Sequence, residues 1–151
     1  MPTVVELNED VESPQLKVNF YTELKEADVR EAIGKLKWIF NTAYDLKPLY
    51  KFMDSDSILR EIKNHQYGLK PSYISTVYEG IVTAIIQQQI SLRIASHMAC
   101  LLIQKFGEHI EADGKDFWDF PSPQRLSQAK VEELRSCGLS GRKAEYIIGF
   151  S

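Results

Sequence analysis

The feature that most restricts this chain is residues 73–89, YISTVYEGIVTAIIQQQ. Tyr73, Val77, Ile81 and Ile85 form one row at four-residue spacing, and Ile74, Tyr78, Val82 and Ile86 form the row beside it. Two adjacent rows on an α-helix make a wide apolar stripe, so the spacing predicts a central helix packed on more than one side. Such a helix needs other helices to cover it, which points to a mainly α fold. Three amides follow directly. Glutamine is a poor core filler and a weak cap, so Gln87, Gln88 and Gln89 at the end of a buried helix are expected to work outside the core.

The flanking segments support this architecture. Val29, Ile33, Leu36 and Phe40 form a helical stripe from Glu26 onward, with Asp28 in the first turn where the helix dipole favours an acid. Pro48 is expected to force Lys47 into extended geometry and break the chain at residues 45–49. A short helix over about 55–64, with Leu59 and Ile62 inward, then leads to a connector holding Gly68 and Pro71. After the glutamines, Ser91 suits an N-cap. Ile94, Met98, Leu102 and Phe106 line the next helix beside Ala95, Ala99 and Ile103, and Gly107 stands where a left-handed residue would stop it.

Residues 109–120 read as a polar loop ending in the aromatics Phe117, Trp118 and Phe120. Ser122 and Pro123 restart a helix as cap and first residue. A short helix from Val131 to Ser136 ends near Gly138, and the last begins at Ser140 with Ala144, Ile147 and Ile148 inward. At the other end, QLKVNFY at 15–21 alternates with a period of two and predicts a strand, with TVVEL at 3–7 as its partner. The expected organisation is therefore a short β segment over 1–25 and a helical domain over 26–151.

Composition narrows the function. A chain of 151 residues with 44% hydrophobic and 26% charged residues has room for one domain with a real core. No apolar run reaches membrane-spanning length, and the first residues lack a signal peptide's basic start. Two cysteines without metal-ligand spacing argue against a disulfide framework or a metal site, and Cys100 is expected in the core. His65, His97 and His109 have no partners at ligand spacing; Asp54 and Asp56 read as caps, and Asp113, Asp116 and Asp119 as loop carboxylates. A net charge of -3 excludes a protein that coats nucleic acid by charge alone, so any nucleic-acid contact must use placed donors.

Two segments are candidates for such donors. The glutamine corner is either a solvated turn or an amide wedge that fills the space of an extruded base. Base flipping costs a few kcal/mol, which such a plug offsets. The second segment is CGLSGRKAEYI, residues 137–147. Gly138 permits a left-handed turn, Leu139 is placed to pack on Ala144, and Ser140 caps the helix. The N–H groups of Gly141, Arg142 and Lys143 then face outward at a helix N-terminus beside two cations, which suits phosphate. A capped helix with a solvated Arg-Lys pair is the alternative.

With these pieces in place, the stretch from Tyr78 to about Ile148 resembles the helix-hairpin-helix DNA glycosylases, in their 3-methyladenine DNA glycosylase II branch. The pieces are YEGIVTAIIQQQIS followed by LRIASHMACLLIQKFG, then FPSPQRLSQAKVEELRSCGLSGRKAEYI. The resemblance implies a multi-helix orthogonal bundle with an abbreviated N-terminal sheet. It places Gln89 at the position wedged into the minor groove, flanked by Gln88 and Ile90, with Ser91 capping the next helix or touching backbone. Gly141, Arg142 and Lys143 remain the phosphate candidates.

It further implies a monofunctional hydrolase of base excision repair. An alkylated purine is flipped into an aromatic pocket, and an aspartate stabilises positive charge on the sugar while water adds. No metal or organic cofactor is implied, and the four-cysteine iron–sulfur signature of some relatives is absent. The implied partner is double-stranded DNA with a damaged base, engaged by a monomer with no membrane association. The location is the prokaryotic cytoplasm (at the nucleoid) or the eukaryotic nucleus. The gripping hairpin and the catalytic aspartate are expected beyond Ser151, which makes the chain the N-terminal part of such an enzyme and inactive by itself. The competing expectation is a non-catalytic helical module that binds DNA or protein through the same corner.

Overall fold

A computed structural model describes residues 3–8 and 15–151. The described chain forms two compact units, one joining the N-terminal strands to Val77–Ser151 and the other spanning Leu24–Thr76.

The first unit opens with β1 (Thr3–Leu7) paired antiparallel to β2 (Leu16–Phe20). Their register sets Val5 opposite Val18 and Glu6 opposite Lys17, whose charges lie 3.6 Å apart. The alternation seen in the sequence thus becomes a real ladder, as expected. A two-stranded sheet is marginal by itself. Here the Tyr21 ring just after β2 lies 5.6 Å from that of Phe117.

The second unit holds α1 (Glu26–Ile39), α2 (Lys47–Met53) and α3 (Ser57–His65). Helix α2 corrects the expected break. Pro48 falls in its first turn, where a missing N–H costs nothing because the helix has no acceptor for it. Asp56 caps α3 as expected, accepting from the N–H groups of Ile58 and Leu59. Two stacked ring pairs hold the connectors: Trp38 on Tyr73 and Tyr50 on Tyr67. The Tyr50 hydroxyl also accepts from the Gly68 N–H at 2.7 Å. Of the expected inward residues, Leu59 is half-buried whereas Ile62 is exposed.

The first unit continues with α4 (Val77–Gln87) and α5 (Leu92–Phe106). Helix α4 is shorter than the apolar pattern suggested, since Tyr73 and Ile74 precede it. Only one of its rows is deeply covered. Val82 and Ile86 are fully buried, while Val77 is 81% exposed. Ala95, Leu102 and Phe106 of α5 join them, along with Leu126 of α6 (Pro123–Ser127), Leu134 of α7 (Val131–Arg135) and Ala144 and Ile147 of α8 (Gly141–Phe150). Each fully buried aliphatic side chain contributes roughly 1.5–3 kcal/mol, so this cluster is the main source of the unit's cohesion.

Three other expectations need correction. Residues 109–120 are not an open loop but a β-hairpin, β3 (His109–Ala112) with β4 (Lys115–Trp118). Asp113 and Gly114 both have positive φ, 53° and 66°, which is the two-residue turn that matches strand twist. Cys100 is exposed; Cys137 is the buried cysteine, and burial pushes its thiol up against the opposing pull of Lys105.

Gly107 does end α5, but with extended backbone, φ -75° and ψ 160°. Its requirement is steric. A Cβ there would stand 2.1 Å from the Asp119 carbonyl oxygen and 2.6 Å from that of Ile103. Gly34, inside α1, has nothing within 4 Å of such a Cβ. Gly107→Ala should therefore lower the unfolding free energy by roughly 2–3 kcal/mol. Gly34→Ala should raise it by roughly 0.5–1 kcal/mol, the usual gain for a helix interior. Urea titration of both variants checks this pair, and an unmoved midpoint for Gly107→Ala would mean that the Asp119 backbone yields freely.

Candidate functional site

The turn between α4 and α5 is built from Gln88, Gln89, Ile90 and Ser91. Helix α4 runs out at Gln87, and its last carbonyls lack intrahelical partners. Gln89 has φ +59°, a left-handed conformation that costs a residue with a Cβ about 1–2 kcal/mol. Ile90 is half-buried and packs on the core, whereas Gln87, Gln88 and Gln89 are exposed. Ser91 closes the turn as predicted, its Oγ accepting from the Ile94 N–H at 3.4 Å. The strained residue thus stands directly before an anchor and a cap. Among the described residues the Gln89 side chain has no hydrogen-bond partner.

The segment 137–147 forms the expected turn, cap and helix start, but the Lys143 N–H and ammonium expected to face outward are both engaged within the protein. Gly138 has φ +89° and links α7 to α8, with the Met98 side chain 3.3 Å from where a Cβ would be. Leu139 and Ala144 are both buried in the same core. The Ser140 Oγ accepts from the Lys143 N–H at 3.3 Å. Helix α8 offers no internal acceptor to the N–H groups of Gly141 and Arg142. A Cβ built on Gly141 meets nothing within 4 Å, so the space beside this helix end is open. Arg142 is exposed and, among the described residues, its side chain has no partner.

The two segments meet through one side chain. The Lys143 ammonium donates to the carbonyl oxygens of Ile86 and Gln88, each at 2.8 Å. The turn and the start of α8 are therefore one continuous surface, joined across more than fifty residues of sequence. Lys143 is half-buried, and two of its three donors are occupied by backbone. Nothing in the spacing of CGLSGRKAEYI signals that contact. Elsewhere, Lys105 of α5 does the same for α7, donating to the Glu133 carbonyl and to the Ser136 hydroxyl.

The remaining titratable candidates do not converge. His109 Nε2 and Asp116 Oδ1 lie 2.7 Å apart on the hairpin, with the imidazole 4.8 Å from the Trp118 ring. Asp54 is paired with Lys63. Among the described residues no group of three His, Cys, Asp or Glu side chains is arranged to hold a metal ion, and no helix is long and apolar enough to cross a membrane.

Against this geometry, residues 82–151 match the HhH-GPD superfamily of base excision DNA repair proteins. The chain is 29% identical over 145 residues to a DNA-3-methyladenine glycosylase of Bacillus subtilis, covering 93% of this chain and 48% of that one. It superposes with a TM-score of 0.78 on a 3-methyladenine DNA-glycosylase from Archaeoglobus fulgidus at 35% identity, covering 97% of this chain and 50% of the other. An 8-oxoguanine glycosylase/lyase from Clostridium acetobutylicum, solved with double-stranded DNA, shares the fold at 16% identity with a TM-score of 0.70. The chain spans about half the length of the relatives it matches.

The caps that shape this surface should be measurable. Ser91→Ala and Ser140→Ala should each cost about 1 kcal/mol of stability. Thermal and urea unfolding of the two variants checks this, and no loss in either would remove the hydroxyls from the role.

Proposed function

Residues 82–151 belong to the HhH-GPD superfamily of base excision DNA repair proteins, and from that premise we propose that the chain is part of a DNA glycosylase. Its substrate class is alkylated purine of the 3-methyladenine type in double-stranded DNA, and its reaction is hydrolysis of the N-glycosidic bond after base flipping. The observation that carries this reading is the exposed left-handed Gln89, held at the elbow between two helices with its amide unengaged. Similarity to 3-methyladenine glycosylases across nearly the whole chain supports the choice of base.

On this reading the surface does two jobs. Extruding a base costs a few kcal/mol and leaves a hole in the stack. Gln89 fills that hole, and its amide both donates to and accepts from the orphaned partner base. Because the left-handed turn exists before DNA arrives, little ordering is required on binding, which is where flexible wedges lose affinity. Arg142 and the N–H groups of Gly141 and Arg142 take a backbone phosphate at the positive end of α8. Gln88, Ile90 and Ser91 frame the wedge. These residues recognise and hold the lesion; the bond-breaking carboxylate is not assigned among them. A monomer working where the cell keeps its DNA fits this role.

Gln89→Ala should weaken binding to a duplex with an abasic site by roughly tenfold while leaving undamaged duplex nearly unaffected. Arg142→Ala should weaken both duplexes and flatten the plot of log affinity against log salt by about one unit. Fluorescence titrations at several salt concentrations read both effects. Abasic-site binding unchanged in Gln89→Ala would remove the wedge. In a full-length glycosylase carrying this segment, abasic-site binding without release of 3-methyladenine from alkylated DNA would leave a binding module rather than an enzyme.

A further inference from the structure

The geometry points to a separate task for Lys143: we propose that it is a positioning residue, setting the angle of the Gln89 wedge rather than gripping phosphate. This rests on the glycosylase reading above and goes beyond it.

Two observations set Lys143 apart from its neighbour Arg142. Its ammonium is already held at 2.8 Å by both the Ile86 and Gln88 carbonyl oxygens, whereas the Arg142 guanidinium, among the described residues, holds nothing. The two acceptors straddle Gln87 and end one residue before Gln89. They lie at the negative end of the α4 dipole, where a cation is favoured. A phosphate drawing the ammonium away would leave the Ile86 and Gln88 carbonyls without their shared donor.

The pin is rigid at both ends. Ile86 is fully buried in the core, and so are Ala144 and Ile147, which follow Lys143 on α8. The ammonium therefore ties the last turn of α4 to the first turn of α8, and Ser91 fixes the far side of the turn. Between these restraints Gln89 is kept in a conformation it would otherwise leave. Lys143→Met removes the pin, releases the turn, and lets the amide sample orientations that miss the stack.

The test uses the full chain and two duplexes of one sequence, undamaged or carrying a tetrahydrofuran abasic site. At a temperature where circular dichroism shows each variant folded, Lys143→Met should reduce the preference for the abasic duplex about tenfold, equivalent to about 1.4 kcal/mol. Its salt slope and its affinity for undamaged duplex should stay at wild-type values. Lys143→Arg, which also donates to two carbonyls, should restore the preference. If Lys143→Met does not fold, Lys143→Gln replaces it and should show the same direction of change.

A flattened salt slope with the abasic preference intact would make Lys143 a phosphate ligand and overturn the proposal. If Gln89→Ala loses the preference and Lys143→Met keeps it, only the positioning role falls. Absence of any abasic preference in the wild-type protein would overturn this inference together with the glycosylase reading.

Discussion

One ammonium group and two carbonyl oxygens join the turn after α4 to the start of α8. Helix α4 ends with carbonyls that its own backbone cannot satisfy, and the chain must turn sharply there to begin α5. Lys143 supplies the missing donor from a distant helix. The bond is sheltered on the Ile86 side and wet on the Gln88 side, so it restrains position more than it adds stability. Its value is geometric: the turn that carries Gln89 has a fixed relation to the core and to the start of α8.

That relation is possible only because the core beneath it is closely built. Val82 and Ile86 from α4, Leu102 from α5, Leu134 from α7 and Ile147 from α8 converge fully buried. Close approach has its own requirements. At Gly107 the hairpin strand returns so near to the end of α5 that no side chain fits, and at Gly138 the turn into α8 needs a left-handed residue pressed against Met98. These glycines look alike in sequence and serve different purposes.

A net charge of -3 suits the proposed way of meeting DNA, through placed donors. A basic cloud would bind any duplex. On the proposed reading, the Arg142 guanidinium, the N–H groups of Gly141 and Arg142 and the unengaged Gln89 amide place a few contacts at chosen points, so that shape at a lesion contributes more of the discrimination. Two lysines at the helix junctions each donate to a neighbouring helix end, the exposed Lys105 to the Glu133 carbonyl of α7 and the half-buried Lys143 to the end of α4.

Local chemistry made much of this legible. Ser91, Ser122 and Ser140 cap where a hydroxyl before an apolar period says they should, and the strand pair at the N-terminus follows its period of two. The hairpin at 109–118 was also written locally, in Asp113-Gly114, but short polar strands hide behind their charges. Helix α2 was obscured because Pro48 reads as a breaker unless the position of the helix start is known. Which apolar row of α4 is covered, which cysteine is buried and which cation of the Arg142-Lys143 pair turns inward were decided only in three dimensions. Those outcomes depend on neighbours tens of residues away, and periodicity records only that a face is apolar or polar, not what arrives to meet it. The sequence determined the helices, their caps and the amide-bearing corner, because those arise from interactions within a few residues; tertiary packing decided that Lys143 would close that corner, because its two acceptors come from a different helix.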